Sequence, residues 1–232
     1  FYDKMQVVGP SGINIERFDE KMKLEQNRRL VTYYSLLTQM RVNGGNDYIN
    51  LVNSILSGKC NQQACLENYD FKVMSDFNRF NNLQQKLEDE FTLSRMIAGY
   101  AWEWKSKKDK SLYDMELDGV KKQWNYRLEN WVLSEGADKQ VGCIHTIQGF
   151  DLNYGFVIMG SEIGYDPESK EIIVRPENYY DQNGRKTALK EELLEYIKHI
   201  YYVLMTRGIK GTYLYICDDN LRKYVSSIIG EI

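Results

Sequence analysis

The residues best equipped for chemistry stand together at His145-Thr146-Ile147-Gln148-Gly149-Phe150-Asp151. They supply an imidazole, a hydroxyl, a carboxamide, a permissive backbone position and a carboxylate. A mere connection does not need that inventory, whereas a loop that touches phosphate, sugar and water does. The plainer alternative is a capped turn, in which Thr146 caps a short helix and Gly149 allows close packing. Apolar runs flank the stretch: Val141, Cys143 and Ile144 before it, Phe156 to Met159 after it. Continuous runs of this kind suit parallel strands covered on both faces.

Other elements must position this loop. MQVVG, Met5 to Gly9, predicts a short strand, followed by a turn at Pro10-Ser11-Gly12. Asn14 to Glu25 predicts a short helix or a linker. LVTYYSLL, Leu30 to Leu37, is β-branched and aromatic, a strand pattern. Asn46 is expected to cap a helix from Asp47 to Leu56, with Ile49, Val52 and Leu56 at helical spacing. Phe71 to Met74 predicts a strand, and Asp76 to Phe91 a helix with Phe77, Phe80, Leu83 and Leu87 on one face. Met96 to Ala101 predicts the next strand. Leu189 to Thr206 is the longest helix, Gly211 to Cys217 a strand, and Asp218-Asp219 opens a last helix to Ile229. This alternation predicts an α/β three-layer domain, with a mainly parallel sheet and right-handed crossovers.

Residues 102–136 interrupt the alternation and contain all four tryptophans, Trp102, Trp104, Trp124 and Trp131. Asp118-Gly119 is a hairpin turn signal, so an inserted β-hairpin arm is expected. Tryptophans beside lysines could stack on single-stranded bases. The heavier expectation is packing, because an excursion this long needs a small core of its own. A second hairpin is expected from Gly164 to Tyr180 with Pro167 in its turn, and another turn at Asn183-Gly184.

The totals exclude several classes. No run of about 18 apolar residues exists, so no membrane span is expected. Two His and no C-x2-C leave no zinc set, and Cys60 and Cys65 stand alone in a polar stretch. With no targeting signal and reduced thiols, a cytoplasmic location is expected. A net charge of −3 argues against a blanket nucleic-acid binder. One region differs: from Arg95 to Arg127 eight Lys/Arg stand against five Asp/Glu. No phosphate loop is present, since Arg185 separates Gly184 from Lys186 in the nearest fragment.

HTIQGFDLNYGFVIMG resembles motif V of superfamily-one helicases, although here the His directly precedes the Thr. GCIHTIQGFDLNY and YYVLMTRGIKGTYLYICD together resemble the Schlafen-like bacterial DNA/RNA helicase family. The resemblance runs from the first residues to about Tyr224 and is strongest in the last ninety. It implies a RecA-like domain: residues 1–25 as the tail of a first such domain plus linker, residues 26–232 as the second, with the insertion at 102–136. YDKMQ is similar to motif III, which gives Gln6 the task of sensing the terminal phosphate. LTQMRVNGG is similar to motif IV, which points Arg41 at the nucleotide. LMTRGIKG is similar to motif VI, which makes Arg207 an arginine finger. Gln148, Gly149 and Asp151 would lie near the nucleotide, and His145 and Thr146 toward the nucleic acid. Without the resemblance, Arg41 would anchor the Gly44-Gly45 turn and Arg207 would complement a helix dipole.

The implied cofactors are ATP and Mg2+, held mainly by the first RecA-like domain. The implied partners are DNA or RNA, single-stranded, and that first domain. The competing class is a degenerate RecA-like interaction module that binds a protein or RNA partner without turnover. Phosphoryl transfer depends on positioning and electrostatics, so half a site gives almost no chemistry. The purified 232-residue chain is therefore expected to fold and to show no measurable ATPase; turnover by contaminant-free material would overturn the two-domain reading.

Overall fold

The computed structural model describes residues 3–9, 15–28, 30, 32, 40–181 and 190–232. Its centre is a five-stranded parallel sheet made of β1 (Asp70–Val73), β2 (Ser94–Ala98), β5 (Val141–Cys143), β6 (Leu152–Met159) and β9 (Gly208–Ile216). Their order across the sheet is β1-β9-β6-β2-β5. Two small antiparallel hairpins stand outside it, β3 (Met115–Leu117) with β4 (Val120–Lys122), and β7 (Ile163–Asp166) with β8 (Glu171–Val174). The helices are α1 (Ile15–Asn27), α2 (Gly45–Leu56), α3 (Phe77–Phe91), the single turn α4 (Ile144–Ile147), α5 (Lys190–Met205) and α6 (Asp219–Ile229).

Alternation along the buried strands sorts the core into two layers. Ile97, Val157, Met159, Leu214 and Ile216 face one side, where α2, α4, α5 and α6 cover them. Met96, Phe156, Ile158, Tyr213 and Tyr215 face the other, under α3 and the arm. On that side the contacts are aromatic: Phe80 meets Phe156 edge-on at 5.1 Å, and Phe156 stacks on Tyr213 at 5.1 Å. A sheet covered on both faces is the three-layer α/β arrangement of RecA-like domains.

The arm docks by its turn. Asp118 and Gly119 both have positive φ, +48° and +80°, which suits a two-residue hairpin. The Asp118 carboxylate accepts the Phe77 N–H at 2.8 Å and the Tyr215 hydroxyl at 3.2 Å, so the hairpin tip sits on the start of α3. Trp124 and Trp131 are wholly buried. Asp114 accepts from Ser106 N at 2.8 Å and from Trp124 N at 2.7 Å, a polar node inside the arm. The tryptophans pack, as the need for a small core required.

Three expectations are corrected. Met5 to Gly9 is no strand: Lys4–Gln6 form one 3-10 turn. Asp3 accepts from Met5 N and from the Gln6 side-chain amide, both at 3.0 Å, and Gln6 N and Val7 N bond back to Asp3 O and Lys4 O, so these donors are used within the turn. Asn46 is not the cap of α2; Gly44 holds that place, with no side-chain cap bond. The second strand begins at Ser94 instead of Met96, because the Arg95 guanidinium is neutralised by Glu88 at 2.6 Å and donates to Val132 O at 3.1 Å. That pairing lets a charged residue occupy a buried strand position. The strand expected over 30–37, apart from Leu30 and Thr32, and the turns at 10–12 and 183–184 lie outside the described residues.

Trp131 packs against Gly142 of β5, and a Cβ at position 142 would come within 2.2 Å of the indole Cζ3. The ring is pinned, since its Nε1 donates to Gln140 Oε1 at 3.0 Å. Gly142→Ala should destabilise the fold by about 1–3 kcal/mol through overpacking. Urea unfolding measures this, and adding Trp131→Phe should return part of the loss as a coupling energy.

Candidate functional site

In a parallel sheet all strands begin at one edge and end at the other, here called the amino and carboxyl edges. Cys143 is level with Ala98, and Ala98 with Ile158, all near the carboxyl edge. Leu152 is level with Gly208 at the amino edge. Six residues of β6 separate the two levels, about 20 Å at the usual strand rise. The stretch from Ile144 to Asp151 therefore crosses the sheet from one edge to the other. His145 remains exposed toward the carboxyl edge, and Gln148, Gly149 and Asp151 arrive at the amino edge. Gly149 turns the chain with φ +95°, in open space, and the Phe150 N–H bonds back to Ile147 O at 3.0 Å.

The amino edge gathers charge. Asp151 Oδ1 meets Arg41 Nε at 2.7 Å. Leu152 N bonds to Arg207 O at 2.9 Å, which fixes Arg207 beside the start of β6. The Arg41 segment is tied to the same place, because Asn43 N donates to Ile209 O at 2.9 Å. That carbonyl belongs to an irregularity in the β6–β9 pairing between Leu152 and Tyr154. Tyr48 donates to Met205 O at 2.7 Å and Tyr69 to Gly208 O at 2.9 Å, clamping the chain on both sides of Arg207. Gln6 joins through its backbone: the Gln148 amide donates to Gln6 O at 3.3 Å. His199 of α5 makes a 2.9 Å contact with Val7 O, holding the same turn against α5.

Arg207 is only 2% exposed, so it does more than complement a helix dipole from the surface. Its Nε donates to Val203 O at 3.0 Å and its Nη1 reaches Phe150 O at 3.5 Å. Burial pushes its pKa down to about 10, and the nearby Arg41 charge pushes the same way. Asp151, Tyr202 and Asp3 oppose this, and the group stays cationic at neutral pH. Burial, with the Asp3 charge, also raises the Tyr202 phenol, while the two arginines lower it. Arg41, Arg207, Asp151, Asp3 and Tyr202 thus share one electrostatic neighbourhood. The two guanidinium groups face the two carboxylates of Asp151 and Asp3, and the planar donor fork of a guanidinium is the geometry that recognises carboxylate or phosphate.

Of the residues singled out in sequence, Gln6, Arg41, Gln148, Gly149, Asp151 and Arg207 converge at the amino edge. His145 stands apart at the other edge, its ring 5.7 Å from that of Tyr100. Thr146 is 2% exposed and its hydroxyl donates to Cys143 O at 2.8 Å, so it locks the turn of α4. Sequence reasoning missed Tyr202 and Tyr100. The first precedes Arg207 by five residues on α5, and the second directly follows the glycine after β2. No group of three or more His, Cys, Asp or Glu among the described residues could hold a metal ion.

The parallel sheet, its two-sided cover and the paired edges define a RecA-like domain of the kind found in nucleic-acid helicases. The sequence profile of the Schlafen group 3 DNA/RNA helicase domain matches residues 1–218, and the chain belongs to that family. The chain is also 31% identical over 215 residues to an uncharacterised protein of Saccharomyces cerevisiae. That match covers 82% of this chain and 47% of the yeast protein, so the chain spans about half the length of that relative. Among the described residues no helix is long and apolar enough to cross a membrane.

One ionisable group at the carboxyl edge makes stability depend on pH. Glu162 is wholly buried; the Tyr201 hydroxyl donates to its Oε1, and its Oε2 has no hydrogen-bond partner. Burial raises its pKa to about 7, against the lowering effect of the Tyr201 bond. The folded protein therefore holds this proton more tightly than the unfolded chain does. Below the ordinary value of 4.5 both states are protonated and no penalty exists; the penalty grows as pH rises from 4.5 to about 7 and then stays. Denaturation midpoints should fall across that window, and Glu162→Gln should remove this part of the pH dependence.

Proposed function

We propose that this chain is the second motor domain of an ATP-dependent DNA/RNA helicase or translocase. The observation that carries the proposal is the joining of Arg41, Asp151 and Arg207 at one edge by the same segment that presents His145 at the other. A segment that joins a nucleotide edge to a nucleic-acid edge is what a motor needs to couple them.

In this reading a first RecA-like domain supplies the phosphate loop and the magnesium carboxylates. ATP with Mg2+ lies between the two domains, and this one adds Arg207 and Arg41 as cationic groups. Arg207 meets the negative charge developing on the transferring phosphoryl group, a task for an always-protonated donor fork. Gln6, touched by Gln148, relates the nucleotide to the turn that begins at His145. Single-stranded DNA or RNA passes along the carboxyl edge, where His145 contacts phosphates; such contacts position the strand and do not read sequence.

A second reading is an interaction module without turnover. It is favoured by the burial of Arg207 and by the pairing of Arg41 with Asp151, which leave less charge to offer. Nucleic-acid-stimulated ATPase of the full-length protein separates the two. Arg207→Lys keeps a buried cation, so it should fold with a near-normal melting temperature, yet it should lose most turnover because a point charge cannot replace the fork. Arg207→Ala should lower turnover by about 10³-fold or more. It should also lower the melting temperature, since Arg207 is buried and hydrogen-bonded. Near-normal ATPase in the Lys variant, with ATPase lost in the Ala variant only through unfolding, would reject Arg207 as the finger, and a wild-type protein without nucleic-acid-stimulated ATPase would support the interaction module.

A further inference from the structure

Trp124 and Trp131 of the arm turn inward, and the residues left exposed on it include Tyr113, Tyr126, Leu112, Leu128 and a run of lysines, with Glu103, Asp109, Glu116, Asp118 and Glu129 among them. Tyr126 is 47% exposed, and its neighbour Leu128 59%. Lys110 Nζ lies 4.0 Å from the centre of the Tyr126 ring, a cation over an aromatic face. Gln123 fastens the two together: its amide donates to Lys110 O at 2.7 Å and to Leu112 O at 2.6 Å, and its Oε1 accepts from the Tyr126 hydroxyl. The turn that carries Lys110 also carries Lys105, Lys107 and Lys108, all exposed. Its one acid, Asp109, is drawn onto Ser111, whose N–H and hydroxyl it accepts at 2.9 and 2.7 Å. Arg127 follows Tyr126 on the outer loop, with Glu129 two residues further on, and residues 126–130 line a shallow concavity.

This face continues an edge already described. Trp124 makes a parallel bridge to Val141. Asn125 then donates to Val141 O at 2.9 Å and accepts from Cys143 N at 3.2 Å. The next residue, Tyr126, therefore lies near the level of Cys143, two residues before His145. Tyr100 bridges the gap, its ring 5.7 Å from His145 and 5.8 Å from Trp124.

We propose that the outer face of the arm is a second contact for single-stranded nucleic acid, with a base stacked at Tyr126 and phosphates at Lys105, Lys107, Lys108 and Lys110. The occupant follows from the chemistry. An exposed aromatic ring beside closely spaced cations matches a flexible polyanion that carries stackable planes. A duplex hides those planes, and an acidic peptide lacks them. The proposal rests on the reading that a strand passes His145, and it extends that path from the sheet edge onto the arm.

The test is fluorescence anisotropy of a labelled twenty-nucleotide oligothymidylate with the full-length protein, from low to moderate salt. Tyr126→Ala should weaken binding about five- to tenfold and Tyr126→Phe should restore it, as stacking on an aromatic ring predicts. With an abasic oligonucleotide of the same length the Tyr126→Ala effect should vanish. Replacing the four lysines by glutamate should weaken binding more than tenfold and flatten the salt slope by about 3, as lost phosphate contacts require. Circular dichroism and melting curves identify any variant that fails to fold, and Tyr126→Phe remains informative if the quadruple variant does. Wild-type affinity in Tyr126→Ala and in the lysine variant overturns the proposal. If His145→Ala weakens binding in that case, the edge reading survives alone; if the arm variants weaken binding and His145→Ala does not, the arm contact stands and the edge reading fails. No binding by the wild-type protein sinks both.

Discussion

The pairing of β6 with β9 is the constraint on which the rest of this molecule depends. It is the longest parallel pair, running from Leu152 opposite Gly208 to Met159 opposite Ile216. Its first rung sets Asp151 beside Arg207, and its irregularity between Leu152 and Tyr154 leaves Ile209 O to accept from Asn43. That bond holds the segment from which Arg41 reaches Asp151. Gly208 makes the rung possible, since a Cβ there would overlap Gly211 O and crowd Gly155 N at 3.0 Å. One close backbone approach thus determines where two arginines and a carboxylate meet.

The two faces of the sheet divide the remaining work. The face under α2, α5 and α6 mixes aliphatic residues with Tyr48, Phe71, Tyr201 and the Trp131 of the arm, and it carries the chain into and out of the amino edge. The opposite face is aromatic and receives α3 and the arm. Rings such as Phe80, Phe156 and Tyr213 bury large areas at little cost in side-chain freedom, and their edge-on and stacked contacts add to that burial. The arm can therefore be anchored by few residues: Asp118 at the tip, Trp124 and Trp131 at the base. Its outer surface is left without packing duties, which is why Lys110 and Tyr126 can be exposed there.

Burying Arg207 has mixed consequences. Desolvation weakens its charge and neighbouring Arg41 weakens it further, yet the backbone carbonyls of Val203 and Phe150 fix the guanidinium in place. A fixed cation in a poorly solvated setting acts more strongly on an anion than the same cation in water. Belonging to the Schlafen group 3 DNA/RNA helicase domain family gives that arrangement its natural context.

Local pattern revealed much of this protein. Helical spacing marked α2, α3, α5 and α6, Asp76 and Asp218 stood where caps form, and Asp118-Gly119 announced its turn, because such features depend on neighbours a few residues away. The chemical inventory from His145 to Asp151 was legible for the same reason. Its division between two edges was not, since that follows from strand order and register, which are contacts between residues far apart in sequence. The same holds for the inward Trp124 and outward Tyr126, two residues apart but on opposite sides of a packed layer. It holds also for Arg207, whose burial arises from Phe150 and Val203 closing around it, and for Met5 to Gly9, whose strand-like composition gave way to Asp3 capturing the local donors. Short-range geometry selects elements; only the packed whole decides which of their side chains meet.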